Sequence, residues 1–337
     1  MVSLHGDSAR MVMDIMQEIR EGRDTGRQWL ERLEKASFEP VLSSCGHWEE
    51  GRHVPLEPQR FLYVLINAWQ DSGTLQLPAE QLAVQHHLQR AFSRLDGLPE
   101  VLDSNIGDLE ERLPETIKRE VLPWLPQTVE LGQRLEIVLG APAMGFVSGG
   151  NIYLDLLALW ELGQERVEQF IAHHLFHFAH RQLTRDQPGD DGLWACLFSL
   201  QTEGVVNHVI GGSREMLELR YKYAREPLRT GLRQRLEHYA AFARDSRPYF
   251  KELYSLLGKA VDGDAKGLVQ YCRQTDPGHF QGVAMAKAIE NQAGPSILRE
   301  TLWNPVDFLL AWSKTNGDGH APLPAELAQK LESLQSK

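Results

Sequence analysis

The decapeptide Ile171-Ala172-His173-His174-Leu175-Phe176-His177-Phe178-Ala179-His180 holds four of the thirteen histidines in the chain. Read as an α-helix at about 100° per residue, it places His173, His177 and His180 on one face and turns His174 to the side. Two histidines four residues apart on a helix can converge on one metal ion, which constrains whatever packs against them to supply a further ligand. The helix is predicted to run from about Gln164 to Leu183.

Composition narrows the partners. The 337 residues are 42% hydrophobic, enough to bury a substantial core. One domain is expected over 1–337, with a helical part over 1–130, a strand pair and the histidine helix over 131–210, and a helical part over 211–337. The formal charge of −11 opposes a nucleic-acid backbone or an anionic membrane, so neither is an expected partner. No run of about 18 apolar residues occurs that could span a bilayer. Cys45, Cys196 and Cys272 are odd in number and far apart, which predicts free thiols in a reducing compartment. Asp7, Arg10, Asp14, Glu18 and Arg20 interrupt the apolar residues of the N-terminus, so a signal sequence is not expected and a soluble, cytoplasmic protein is.

Along the chain, Met11, Ile15, Met16 and Ile19 mark a first helix ending before Gly22, and a second is predicted over Gly26 to Ala36. Helical texture returns from Leu56 to Arg94, with a break at Asp71-Ser72-Gly73. There His86 and His87 lie on a glutamine-rich, polar helix and are expected at the surface. Pro114, Pro123 and Pro126 predict two or three short helices between Asp103 and Leu131. Arg134 to Leu139 and Asn151 to Leu156 read as strands, and the Gly-rich link between them as a hairpin connection. This is the one expected β region. A loop follows at Asp186 to Gly192, then a helix from Leu193 to about Ile210, and helices to the end, with a turn at Asp276 to Gly282 before a helix over Val283 to Asn291.

Glu203 is the candidate third ligand. It is an acid on a mainly apolar helix, one helix downstream of His177, and a His₂Glu set with one open position is the usual form of a catalytic zinc site. His180 lies about 10 Å along the axis from His173, too far for all three imidazoles to share an ion, so a packing or supporting role is expected. Cys45 and His47 supply two ligand types without a matching second pair, and the segment reads as a loop with a solvated histidine.

Four stretches in this order resemble a family of zinc-dependent peptidases, a domain of unknown function of the gluzincin type among the zincins. They are Trp29-Leu30-Glu31-Arg32-Leu33, the strand Asn151-Ile152-Tyr153-Leu154-Asp155, the helix from Ile171 to His177, and the later Glu203-Gly204 with Gly282 to Glu290. The histidine helix and Glu203-Gly204 are its specific parts. The resemblance implies an α+β, predominantly α-helical, zincin-like fold with a small sheet next to the metal-site helix. It implies zinc on His173, His177 and Glu203, and a peptide substrate that adds as a strand along Asn151 to Leu156. It leaves two readings for His279, in the turn before the C-terminal helix: an electrophile that stabilises the oxyanion, or a turn histidine in solvent.

The departure falls at the general base. The family motif is His-Glu-x-x-His, and its glutamate accepts and returns the proton. Here the position holds His174, so peptide hydrolysis is expected to be weak or absent. Three readings stay open: a zinc peptidase with His174 as substitute base and His279 as electrophile; a non-hydrolytic metal protein, either a peptide-binding pseudoenzyme or an Fe(II) oxygenase using the same His/His/carboxylate set; and a helical protein whose histidines only pack. The oligomeric state is left open.

Overall fold

Leu135, Ile137 and Val138 are fully buried, and so are Ile152 and Leu154. Strands apolar on both faces belong to the middle of a covered parallel sheet, and that is where these two lie. The structure, a computed structural model, describes residues 2–23, 25–49, 52–70, 77–126, 129, 131–141, 145–184, 192–211, 213–223, 228–315 and 319–335. It is an α+β chain in which helices predominate.

The chain forms two compact units, the first made of Met1–Thr116, Leu131–His174 and Tyr223–Arg229, the second of Ile117–Glu130, Leu175–Lys222 and Thr230–Lys337. In the first unit the strands are β1 (Ser3–His5), β2 (His47–Glu49), β3 (Arg52–Val54), β4 (Arg134–Val138), β5 (Gly145–Ser148) and β6 (Asn151–Asp155). Four of them form a sheet in the order β1-β4-β6-β5, with β1 and β6 parallel to β4 and β5 antiparallel to β6. Its helices are α1 (Asp7–Arg20), α2 (Gly26–Leu33), α3 (Glu39–Ser44), α4 (Pro58–Gln70), α5 (Ala79–Phe92), α6 (Leu98–Thr116) and α7 (Leu156–Leu162). The next helix, α8 (Gln164–Leu183), begins in this unit and continues into the second, the division falling between His174 and Leu175.

Four local expectations are corrected here. The hairpin is not made by the two expected strands. β4 and β6 are parallel, which a short turn cannot connect, and the Gly-rich link carries its own strand, β5, turned back on β6 at Gly149 and Gly150. Both glycines have positive φ, 54° and 79°, as a tight two-residue hairpin turn of primed type requires. β6 is therefore paired on both sides, so no peptide can add to it, and β5 is the edge strand beside it.

The segment at Cys45 is not a loop. It runs into the hairpin β2-β3, and the buried Cys45 thiol donates to the Gly140 carbonyl at 3.4 Å. With β1 and this hairpin, the β structure is wider than expected.

His87 is not a surface residue. It is 8% exposed, with Nε2 3.0 Å from Asp155 Oδ1. Asp155 is fully buried at the end of β6, where it caps α7 by accepting from Leu157 N at 2.9 Å and also accepts from Gly140 N at 3.1 Å and Ala141 N at 3.2 Å. A buried carboxylate needs such partners, and the three backbone amides supply them with the His87 ring alongside.

Pro114 does not break its helix. α6 runs through it for 19 residues, and the missing amide bond is followed by a π turn at Ile117–Val121 and a 3₁₀ turn at Leu122–Trp124. The breaks expected at Asp71-Ser72-Gly73 and over 186–191 lie outside the described residues.

The second unit contains α9 (Gly192–Val209), α10 (Ser213–Tyr223) but for its last residue, α11 (Leu228–Arg244) from Thr230 on, α12 (Arg247–Val261), α13 (Lys266–Thr275), α14 (Gln281–Ala293), α15 (Pro295–Glu300), α16 (Pro305–Ser313) and α17 (Ala325–Gln335). α9 is its central rod. Leu193, Trp194, Cys196, Leu197, Leu200, Gly204, Val205 and Val206 are all buried, so the helix is apolar around most of its circumference, as an enclosed helix must be. The chain from α13 to α14 runs beside it in the same direction. A Cβ on Gly192 would overlap Val269, one on Gly278 would lie 2.5 Å from Ser199 O and 2.6 Å from Glu203 Cβ, and one on Gly204 would lie 2.5 Å from the Gly282 carbonyl carbon. Backbone therefore touches backbone at Gly204 and Gly282, which accounts for glycine at both ends of that contact. Among the described residues, no helix is long and apolar enough to cross a membrane.

Candidate metal centre

α8 spans Gln164–Leu183, the range read from the sequence. Ile171, Ala172, Leu175, Phe176 and Ala179 are fully buried, so its apolar face is held in the core, while His173, His174 and His177 stay partly exposed. Helix periodicity then presents His173 and His177 together, one turn apart. α9 brings Glu203 to the same face: His177 Nε2 lies 3.3 Å from Glu203 Oε1. Among the described residues, His173, His177 and Glu203 are the one group whose ligand atoms all lie within 4.8 Å of one another. Ligand atoms about 2.0–2.1 Å from a tetrahedral zinc stand roughly 3.3 Å apart. The His177–Glu203 spacing fits such an ion as it stands. Two neutral nitrogens and one carboxylate also match the donor preference of zinc while leaving a coordination position open.

Glu203 is held from several directions. Its Oε2 lies 3.4 Å from His279 Nε2 and accepts from the Asn207 amide at 3.2 Å, one turn further along α9. Gly278 lies against its Cβ, so the turn at Pro277–His279 can approach only because that residue has no side chain.

His279 is steered in turn by residues that the sequence did not single out. Its Nδ1 lies 3.0 Å from Asp276 Oδ1, and its carbonyl accepts from the Tyr239 hydroxyl at 3.0 Å. Burial works against charge on this imidazole, yet the contact with Asp276 and the negative charges of Asp276 and Glu203 outweigh it and hold its pKa above the ordinary histidine value. Burial likewise pushes the Tyr239 phenol well above its usual range, with Asp276 and Glu203 adding to the effect, so it serves as a neutral donor. Asp276 ends α13 in the left-handed region at φ 54°, ψ 59°, and is the single non-glycine residue with positive φ among those described. The signal was present in Asp276-Pro277-Gly278-His279, since Asp tolerates that conformation and Pro blocks continuation of the helix.

His174 points elsewhere on the helix. Its Nδ1 is 3.0 Å from the carbonyl of Phe170, one turn back, and its ring lies 4.2 Å from the Phe170 ring. A carbonyl only accepts, so Nδ1 carries the hydrogen and the lone pair of the neutral ring is on Nε2. Phe170 is itself placed by the sheet, packing over Gly145 of β5.

His180 is 2% exposed, with Nδ1 3.1 Å from the Thr202 hydroxyl. Burial, with the nearby His177 adding to it, lowers its pKa to about 4, so it is a neutral core group tying α8 to α9. One turn past Glu203, His208 Nε2 and Glu290 Oε2 lie 2.5 Å apart and link α9 to α14.

A family model described as "Putative zinc dependent peptidase (DUF5700)" matches residues 58–315, most of the chain, including α8, α9 and the turn at His279. No curated protein and no solved structure matches.

Proposed function

The chain belongs to the family that this model describes, and from that premise we propose that it is a zincin-like zinc protein acting on peptides, with hydrolysis weakened by His174 at the base position. His173, His177 and Glu203 hold the zinc, and the 3.3 Å spacing of His177 and Glu203 is the observation that carries the assignment. Zinc in such a set supplies Lewis acidity toward a peptide carbonyl and makes water acidic enough to attack near neutral pH.

The chain's own residues do the rest. His174, with Nδ1 committed to Phe170 O, offers Nε2 as the proton acceptor. Once protonated, the imidazole would be a cation in a site that would hold a metal cation, whereas a glutamate in that role would become neutral, and this difference disfavours proton uptake. His279, oriented by Asp276 and Tyr239, faces Glu203 Oε2 with its Nε2 at 3.4 Å, and would serve a developing negative charge only by giving up that contact. Asn207 and His279 together keep the Glu203 carboxylate on the face of α8.

Metal analysis of the purified protein tests this reading. One zinc per chain is expected, with loss of at least tenfold in affinity for His177→Ala and Glu203→Ala and no loss for His86→Ala. A native protein that takes up no stoichiometric zinc, or variants that keep it, would overturn the assignment.

A further inference from the structure

Phe280 directly follows His279, is 4% exposed, and packs into a seat of aromatic rings. α11 supplies three of them within about one turn: the Phe280 ring centroid lies 5.0 Å from His238, 5.4 Å from Tyr239 and 5.0 Å from Phe242. Tyr249 of α12 closes the seat at 6.4 Å and meets His238 at 4.7 Å. These pairs are tilted or edge-to-face, at separations that aromatic pairs favour. His238 takes part as a neutral ring. Its Nε2 is buried without a hydrogen-bond partner, and burial lowers its pKa against the pull of Glu252. The next residue, Gln281, is fully buried too: its amide donates to Tyr249 O at 2.9 Å and its side-chain oxygen accepts from the Tyr271 hydroxyl at 3.1 Å.

Phe280 faces α11, whereas the neighbouring His279 ring faces α9. There His279 Nε2 reaches Glu203 Oε2 across 3.4 Å. A contact of that length sits at the limit of hydrogen-bonding reach, so a displacement of about 0.5 Å decides whether it is made. The turn does not fix that distance by itself. Asp276, which opens it at φ 54°, holds a conformation that non-glycine residues keep only where their surroundings over-determine it.

We propose that Phe280 is a positioning residue: seated on α11, it fixes the turn so that the His279 imidazole stays on the Glu203 carboxylate. Its influence on a metal runs through His279 to Glu203, and that last step rests on the assignment of Glu203 as a zinc ligand. A phenylalanine that only filled the core would add stability without making Glu203 depend on it through His279.

The test measures zinc affinity of the full-length chain by competition with a chelator. Phe280→Ala is expected to lose about tenfold, as residues that orient a ligand do, and His279→Ala a similar factor. The double variant is expected to lose no more than His279→Ala alone, because the first effect passes through the second residue. Phe280→Leu, which keeps an apolar side chain in the seat, is expected to stay within about threefold of native. Native affinity in Phe280→Ala, or losses that multiply to about a hundredfold in the double variant, would overturn the proposal. Where Phe280→Ala does not fold, Phe242→Ala removes one ring of the seat instead; its smaller loss is expected to vanish in the His279→Ala background, and a loss that persists there overturns the proposal equally. A metal-free arm separates the proposal from the zinc assignment. With histidine and glutamate selectively labelled, the nuclear Overhauser contact between the His279 ring and the Glu203 side chain is expected in the native chain and in Phe280→Leu, and is expected to be lost in Phe280→Ala. Its survival in Phe280→Ala would refute the positioning role. A native chain that binds no zinc overturns the metal assignment, and this contact then decides the role of Phe280 by itself.

Discussion

His174 Nδ1 lies 3.0 Å from Phe170 O, so this ring is tied to its own helix, with its hydrogen on one nitrogen and its lone pair on the other. Replacing it by the acid of the usual motif tests what this ring costs the reaction. His174→Glu is expected to raise peptide hydrolysis by about 10²- to 10⁴-fold at unchanged zinc content. A peptide-library assay on both proteins decides it. Equal rates would show that position 174 takes no part in proton transfer.

Gly282 allows α14 to rest on α9 beside Glu203. Gly282→Ala puts a methyl group into Leu200 O and the backbone of Gly204, and is expected to destabilise the fold by about 1–3 kcal/mol and to weaken zinc binding through Glu203. Denaturant titration of the metal-free protein separates the two effects. An unchanged midpoint would mean that the helices have slack at this contact.

Stability should fall on the acid side because of His180. This imidazole binds a proton below about 4 when folded but at 6.5 in an unfolded chain. The unfolded state therefore gains protons first, and stability is full above 6.5 and declines as pH falls from 6.5 toward 4, by up to roughly 3 kcal/mol. In metal-free protein, His180→Gln keeps a partner for Thr202 and is expected to flatten this limb. A variant that declines as steeply as the native protein would remove His180 as the cause.

Asp155 joins the end of β6 to α7, to the Gly140–Ala141 backbone and to His87 of α5. Asp155→Ala strands several buried donors at once and is expected to cost about 3–5 kcal/mol, seen as a lower denaturation midpoint. Zinc binding per folded molecule should persist, since the side chains assigned to the metal are elsewhere.

Local pattern made part of this structure readable. The full extent of α8, the first helix and the two central strands follow from apolar periodicity over consecutive residues, and Glu203 followed from the need of a two-histidine helix for an acid. What was missed depends on residues far apart in the chain. His87 is buried beside Asp155, on a strand 68 residues later. β1 is three residues long and is a strand only by pairing with β4. β5 hides in a glycine-rich segment because its edge position asks little of its side chains. Asp276 and Tyr239 matter through their contacts with His279, which no spacing in the sequence announces.

The contact between Gly204 and Gly282 also sets where this protein can change. With no side chain between the two backbones there is no layer that can be thinned or thickened by mutation, so the placement of Glu203 cannot be adjusted in small steps from α9 or α14. The partly exposed face of α8 carries no such restriction. Substitutions that alter this cluster in small steps are therefore expected on the histidine helix rather than at the glycine contact.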